Sequence, residues 1–195
     1  GEGANSFGVG IIFSVDGGET WSPTSLNLPP EEHNRNHYFV KIVIDPRSNF
    51  GVGGQTSVYA MTKDQLWVSQ GVNGGIFSWQ KVDLNLSYSA RSSIDFEFLS
   101  NPDDFYFVIH DKLFQGHLAW GDALNSSATD FTEVPASFIL SGNSTYNSYD
   151  NVWEMQLEID NNDNLLLGLD LYECYINSMG NDSCPHEKII YKSTN

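Results

Sequence analysis

Positive charge is scarce in this chain. Nine Lys and Arg stand against 25 Asp and Glu, giving a formal net charge of −16 over 195 residues. A surface of that sign repels phosphate backbones and anionic lipid, which argues against nucleic-acid partners and against polybasic attachment to a membrane. Arginine occurs at three positions, Arg35, Arg47 and Arg91. Cysteine occurs at two, Cys174 and Cys184, and their spacing fits no CxxC metal or redox motif. No apolar run approaches the roughly 20 residues of a spanning helix. No basic-then-apolar leader opens the sequence, so any such leader was removed or lies outside this piece. A Gly-x-Ser-x-Gly elbow, a phosphate loop and a His-Glu-x-x-His pair are all missing. No stretch of useful length has helical 3.6-residue periodicity.

What is present is β chemistry. Hydrophobic residues make up 40% and aromatics 13% of the chain, enough for a sizeable core and too much for global disorder. The length suits one large all-β domain or two small ones. Ile11, Ile12 and Phe13 suit a short buried strand. Asp16-Gly17-Gly18 is turn chemistry, because glycine reaches positive φ freely and an Asp side chain accepts nearby backbone N–H groups. Thr20 and Trp21 restart a strand, with Trp21 expected to pack sideways onto a neighbour.

The pattern is echoed along the chain. Phe13, Trp67, Phe114 and Tyr191 end strands at equivalent places, with spacings of 54, 47 and 77 residues. Periods of about 40 to 50 residues are the mark of propeller blades. The long third spacing predicts an insertion, placed in the polar stretch from Ser137 to Asp150. Between the anchors a strand, turn, strand, strand order recurs. It runs Tyr38 to Asp45, the turn Asp45-Pro46-Arg47, Ser57 to Met61, then Trp67. It recurs as Ile94 to Leu99, the turn Asn101 to Asp104, Phe105 to His110, then Leu113. The last copy is Met155 to Ile159, the turn Asp160 to Asn164, Leu165 to Tyr172, then Ile189.

The stretch Ser14-Val-Asp16-Gly-Gly18-Glu-Thr20-Trp21 resembles, position for position, the Asp box of sialidase-type β-propellers. Val43 to Ser69 is similar to the blade consensus of the same repeat proteins. Ser69, Asn73, Gly75 and Trp79 resemble a worn second box, and Tyr191-Lys-Ser193-Thr-Asn195 the first half of another. The resemblance implies an all-β fold: a β-propeller of four-stranded antiparallel blades, with Asp-box turns on the outer rim between strands 3 and 4, remote from any catalytic face. It implies one propeller segment over 1–195, divided as 1–30 (end of a blade), 37–90 (blade), 91–140 (blade) and 150–195 (blade lacking its last strand). About thirteen strands are then expected, against roughly 24 in a six-bladed ring, so the chain reads as a segment of a larger propeller. A smaller closed ring is the alternative.

Function is read by analogy, since such folds host many activities. The resemblance extends to the propeller ectodomains of sortilin-type receptors. It implies a recognition or assembly module for a carbohydrate or protein ligand, which the remainder of a larger propeller or a partner chain would complete, with no cofactor and no membrane insertion. The alternative is part of a glycoside hydrolase, sialidase-like or xyloglucanase-like, with catalytic residues partly outside this chain. A sialidase needs clustered arginines to grip a carboxylate. Arg35 and Arg91 each precede a first strand, the end that faces the axis in this family, whereas Arg47 reads as a solvated turn residue. The Arg-Ile-Pro motif that accompanies Asp boxes is absent. Paired carboxylates could come from Asp95, Glu97, Glu154 or Glu158, although a solvated strand face explains Asp95 and Glu97 as well. Asp160-Asn-Asn162-Asp-Asn164 offers calcium-loop oxygens, yet Leu165 and Leu171 stand where Gly and Glu are required, so a polar turn is the better reading. His33 and His37 read as loop residues beside Pro29-Pro30, and no metal site is expected. Trp67, Trp79, Trp120 and Trp153 could stack on sugar rings, although packing between blades is the default reading for most of them. Trp120 is the one expected to be exposed. A Cys174–Cys184 disulfide would clip a hairpin in an oxidising compartment. The sequons at Asn85, Asn125, Asn143 and Asn181 are compatible with glycosylation, although a chain this rich in Asn, Ser and Thr meets the pattern about as often by chance. Together these readings favour the extracellular space or the secretory lumen.

Overall fold

The computed structural model describes residues 11–24, 39–49, 54–72, 77–84, 86, 93–120, 131–139, 152–172, 174–176 and 182–193. Among them the chain is all-β, with fifteen strands in antiparallel sheets of two to four strands and a single helical turn, α1 (Ala136–Ile139). No sheet closes on itself. The chain divides into two compact units, Gly1–Leu84 with Gly121–Ser127, and Asn85–Trp120 with Ala128–Asn195.

In the first unit, β1 (Ile12–Phe13) and β2 (Ser22–Pro23) form a hairpin. A four-stranded sheet follows in chain order: β3 (Lys41–Ile44), β4 (Gln55–Met61), β5 (Leu66–Val72) and β6 (Trp79–Val82). Strand β4 is buried without interruption from Thr56 to Met61, so both of its faces are covered. A strand with that environment reads as a continuous run rather than an alternation. Ile11 and Ala60 form a small core joined by Phe39, Trp67 and Trp79. Phe13 meets Phe77 edge to face at 4.9 Å. The β3–β4 turn is fixed by Asp45, which is buried and accepts from the Arg47 backbone amide at 2.8 Å. Its carboxylate also takes both ends of the Arg47 guanidinium, Nε at 3.0 Å and Nη2 at 2.8 Å. Arg47 is therefore bound within its own turn rather than solvated, because a planar fork fits a carboxylate better than water does.

The second unit carries the same order again: β7 (Ile94–Phe98), β8 (Asp104–Ile109), β9 (Lys112–His117) and β10 (Phe131–Glu133). Its core is aromatic. Phe96 stacks on Phe105 at 4.8 Å and Phe107 on Phe114 at 5.0 Å. Opposite Phe105 in β9 sits Gly116, where a Cβ would collide with the Phe105 ring. The β8–β9 turn is two residues long, His110 at φ 54° and Asp111 at φ 60°, the left-handed pair that a tight hairpin requires.

A third sheet contains β11 (Val152–Ile159), β12 (Leu165–Tyr172) and β15 (His186–Lys192). Strand β12, Leu-Leu-Leu-Gly-Leu-Asp-Leu-Tyr, buries every second residue from Leu165 to Leu171 and turns Leu166, Gly168, Asp170 and Tyr172 outward. The buried leucines join Val108, Leu113, Met155 and Leu157 in one core. Between β12 and β15 the chain makes an extra hairpin, β13 (Tyr175–Ile176) and β14 (Asp182–Ser183), closed by a Cys174–Cys184 disulfide. This hairpin accounts for part of the long third spacing. Most of the stretch expected to hold the insertion, from 140 onward, lies outside the described residues.

Strands β7 and β11 are stitched by side chains. Ser93 Oγ accepts from the Met155 amide at 2.9 Å and Asp95 Oδ2 from the Leu157 amide at 2.9 Å. At the turns, the Ser100 amide donates to Asp163 Oδ1 at 2.7 Å. The first two contacts share an offset of 62 residues and the third spans 63, so β7 and β11 run in the same direction. Asp95 is thus no solvated strand residue. It satisfies a main-chain donor on the free edge of β11, a group otherwise costly to bury.

Candidate functional site

The Ser14–Trp21 loop is held by its own side chains. Ser14 Oγ accepts the Gly18 amide at 2.8 Å and donates to Asp16 Oδ1 at 2.7 Å. Asp16 Oδ1 accepts the Thr20 amide at 2.9 Å, and Asp16 Oδ2 accepts the Thr20 hydroxyl. Gly17 and Gly18 sit at φ 74° and 97°, which the crossing of this short loop demands. These hydrogen bonds, led by Thr20, lower the Asp16 pKa to about 2. Trp21 folds back over its own loop, donates from Nε1 to the Gly18 carbonyl at 3.1 Å and stays 59% exposed. The Ser14, Asp16 and Thr20 side chains are taken up by hydrogen bonds within the loop, which makes it a self-closed turn.

The later copies are built differently. Ser69 and Trp79 lie directly opposite each other in β5 and β6, Ser69 buried and Trp79 half-buried. Ser69 Oγ and Trp79 Nε1 are buried without a hydrogen-bond partner among the described residues. Trp79 stacks on Phe77 at 5.9 Å instead. Asn73 and Gly75 lie outside the described residues, as do Arg35, Arg91, His33, His37 and the sequon residues Asn85, Asn125, Asn143 and Asn181. Ser193 closes onto the start of β12: its amide donates to the Leu165 carbonyl at 2.9 Å and its hydroxyl accepts the Leu165 amide at 3.1 Å.

The candidate carboxylates are divided between β7, where Asp95 and Glu97 are half-buried, and β11. Asp95 is committed to Leu157, and Glu154 and Glu158 project from the outer side of β11. Asp160 is saturated by the Asn162 amide, by the amide and side chain of Asn164 and by Lys192 Nζ at 3.0 Å. Those donors, the Asn164 side chain foremost, push its pKa well below the ordinary carboxylate value. The segment is a closed polar turn, and no group of three or more potential metal ligands occurs among the described residues. No described helix is long and apolar enough to cross a membrane.

The tryptophans are sorted by position. Trp67 is half-buried, donating to Gln65 Oε1 at 3.2 Å beneath Lys81. Trp120 is also half-buried, its amide held by Asp103 at 3.0 Å, so it is not the exposed member of the set. Trp153 is, at 54%. Two independent reasons place it there. Val152 pairs with Leu171 and Glu154 with Asp170, so Trp153 is the extra residue of a β-bulge. A bulge re-aims its side chain. Tyr172 and His186, paired across β12 and β15, then meet the indole at right angles, at 5.7 Å and 5.6 Å. Asp170 Oδ1 lies 2.8 Å from His186 Nδ1 and fixes that ring. Sequence reasoning named Trp153 as one of four tryptophans and placed the strand at Ile189 after Tyr172, but it missed the ring cluster, because neither the bulge at Trp153 nor the register that sets His186 opposite Tyr172 leaves a mark in the pattern.

The chain matches no protein-family model, no curated protein and no solved structure.

Proposed function

We propose that this chain is a segment of an Asp-box β-propeller working outside the cell or in the secretory lumen as a recognition or assembly module. The observation that carries the fold is the β7–β11 stitch. A propeller sets the first strands of successive sheets side by side and pointing the same way, and Ser93 and Asp95 hold β7 and β11 in that relation. The Cys174–Cys184 bond supports the compartment, because disulfides persist where thiols are not kept reduced. Non-catalytic recognition is favoured by where the polar groups are used. Asp95 and Arg47 complete structural contacts, and the box at Ser14 to Trp21 closes on itself.

The competing reading is glycoside hydrolysis, and a direct assay separates the two. The protein is incubated with a fluorogenic sialoside and with xyloglucan from acidic to neutral pH, with released fluorophore and reducing ends measured. No turnover above buffer is expected. Turnover that disappears in Asp95→Asn or Glu97→Gln would refute the recognition reading.

A further inference from the structure

We infer that Trp153, Tyr172, His186 and Asp170 form a binding platform for a pyranose ring of a neutral oligosaccharide. The three rings stand 5.6, 5.7 and 5.9 Å apart, centroid to centroid. That is the spacing of rings in mutual contact. It leaves no hollow between them for a methylammonium or a guanidinium, which rules out an aromatic cage. What it produces is a fixed indole. Tyr172 and His186, stacked on each other, both abut Trp153 at interplanar angles of 84° and 79°, while more than half of the residue's surface stays open. A large flat side chain already immobilised loses little entropy on binding, so its contact area is available for affinity.

The rim around the platform carries both hydrogen-bond senses. Asp170 lies opposite Glu154 in β11 and Lys188 in β15, and Gln156 follows on the same outer side. Carboxylates accept and the ammonium donates, and the amide does both. Sugar hydroxyls need that mixture, whereas a planar apolar ligand would leave these groups unmatched. Beyond Asp170 the surface dips at Gly168, where an added Cβ would meet nothing closer than Gln156 at 3.8 Å, and Ile190 stands beside the dip at 79% exposure. This gives a second apolar step for the next residue of a chain. Charge decides between neutral and acidic glycans. With a net −16 on the protein and Asp170 and Glu154 at the platform, a sialylated or sulfated ligand is repelled.

The site rests on the recognition reading with the outer face of β11, β12 and β15 left open to solvent, and the two fail separately. The full chain with its disulfide intact is applied to an array of neutral and sialylated glycans, and retained neutral glycans are titrated by tryptophan fluorescence. Retention of neutral glycans is expected, with Trp153→Ala weakening binding at least about tenfold and Trp153→Phe less than Trp153→Ala. Asp170→Asn should weaken it by an intermediate factor while leaving the fold unchanged by circular dichroism. The proposal is overturned by retention of no neutral glycan, by retention confined to sialylated glycans, or by equal affinity in Trp153→Ala. Hydrolysis of a glycan whose binding depends on Trp153 would sustain the platform and remove the non-catalytic reading.

Discussion

Gly116→Ala tests the packing of the second unit directly. Phe105 is fully buried, and its ring is pinned on several sides, by Phe96 at 4.8 Å, Phe98 at 5.8 Å, Phe131 at 6.0 Å and Phe107 at 6.2 Å. The new methyl would fall on that ring, which has no open direction in which to retreat. Overpacking a tight core costs about 1–3 kcal/mol, and a pinned neighbour puts this site in the upper part, about 2–3 kcal/mol. For a chain of this size that lowers the melting temperature by about 4–12 °C. Near-ultraviolet circular dichroism reports the transition, since the aromatic cluster provides the signal. Gly168→Ala is the internal control: it also places a methyl in a strand, but 3.8 Å from the nearest side chain, Gln156. It should leave stability unchanged or raise it by about 0.4–1 kcal/mol, through the unfolded chain. Phe105→Leu combined with Gly116→Ala should recover part of the loss, with a coupling of about 0.5–3 kcal/mol. Equal melting of Gly116→Ala and Gly168→Ala, or zero coupling to Phe105, refutes the packing account.

Removing the stitch with Asp95→Ala should cost about 1–3 kcal/mol by stranding the Leu157 amide, and hydrogen exchange at Leu157 should accelerate while Asp95→Asn shows a smaller effect. Replacing Cys174 and Cys184 together by Ser should lower stability by about 2–3 kcal/mol, as expected for releasing a cross-link this short, and a urea midpoint unchanged from wild type would contradict it. The Asp16 pKa is depressed in the folded loop, so its contribution is complete above the unfolded carboxyl value of about 4 and is lost as pH falls through about 2. Amide exchange at Gly18 and Thr20 should therefore rise over that window relative to an unstructured peptide, and a loop that keeps its protection there would refute the assignment.

Strand positions were readable wherever turn chemistry and pattern coincided. Asp45-Pro46-Arg47, Asn101 to Asp104 and Asp160 to Asn164 each separate the strands they were expected to separate. Two failures were about partners rather than elements. Trp21 and Arg47 were read by residue type, as a packing ring and a solvated cation, yet each found its partner within three residues, at Gly18 and Asp45. Local side-chain to backbone bonds of that kind have no periodicity to detect. Trp120 was ranked by its neighbours in sequence, but the outward aim of Trp153 comes from a bulge, and its ring contact from His186, 33 positions further on in the sequence. The hairpin at Cys174 to Cys184 was legible as a clip between Tyr172 and the strand at Ile189, whereas its two strands β13 and β14 were not, because strands of two residues are too short for a pattern.

The stitch between β7 and β11 recognises peptide geometry and nothing else. Between the strands themselves Ser93 and Asp95 supply the acceptors, and β11 answers with main-chain amides at Met155 and Leu157. The identity of the side chains on the receiving strand is invisible to that joint. A repeat unit fastened this way can drift at its outward positions and still dock in register with its predecessor, provided the accepting strand keeps its Ser and Asp and the core positions of Met155 and Leu157 stay apolar. Divergence between copies is then cheap on the receiving side of each joint and dear on the giving side. An evolving array of such sheets could vary its outward surface, including the ring cluster at Trp153, without renegotiating how its members are held together.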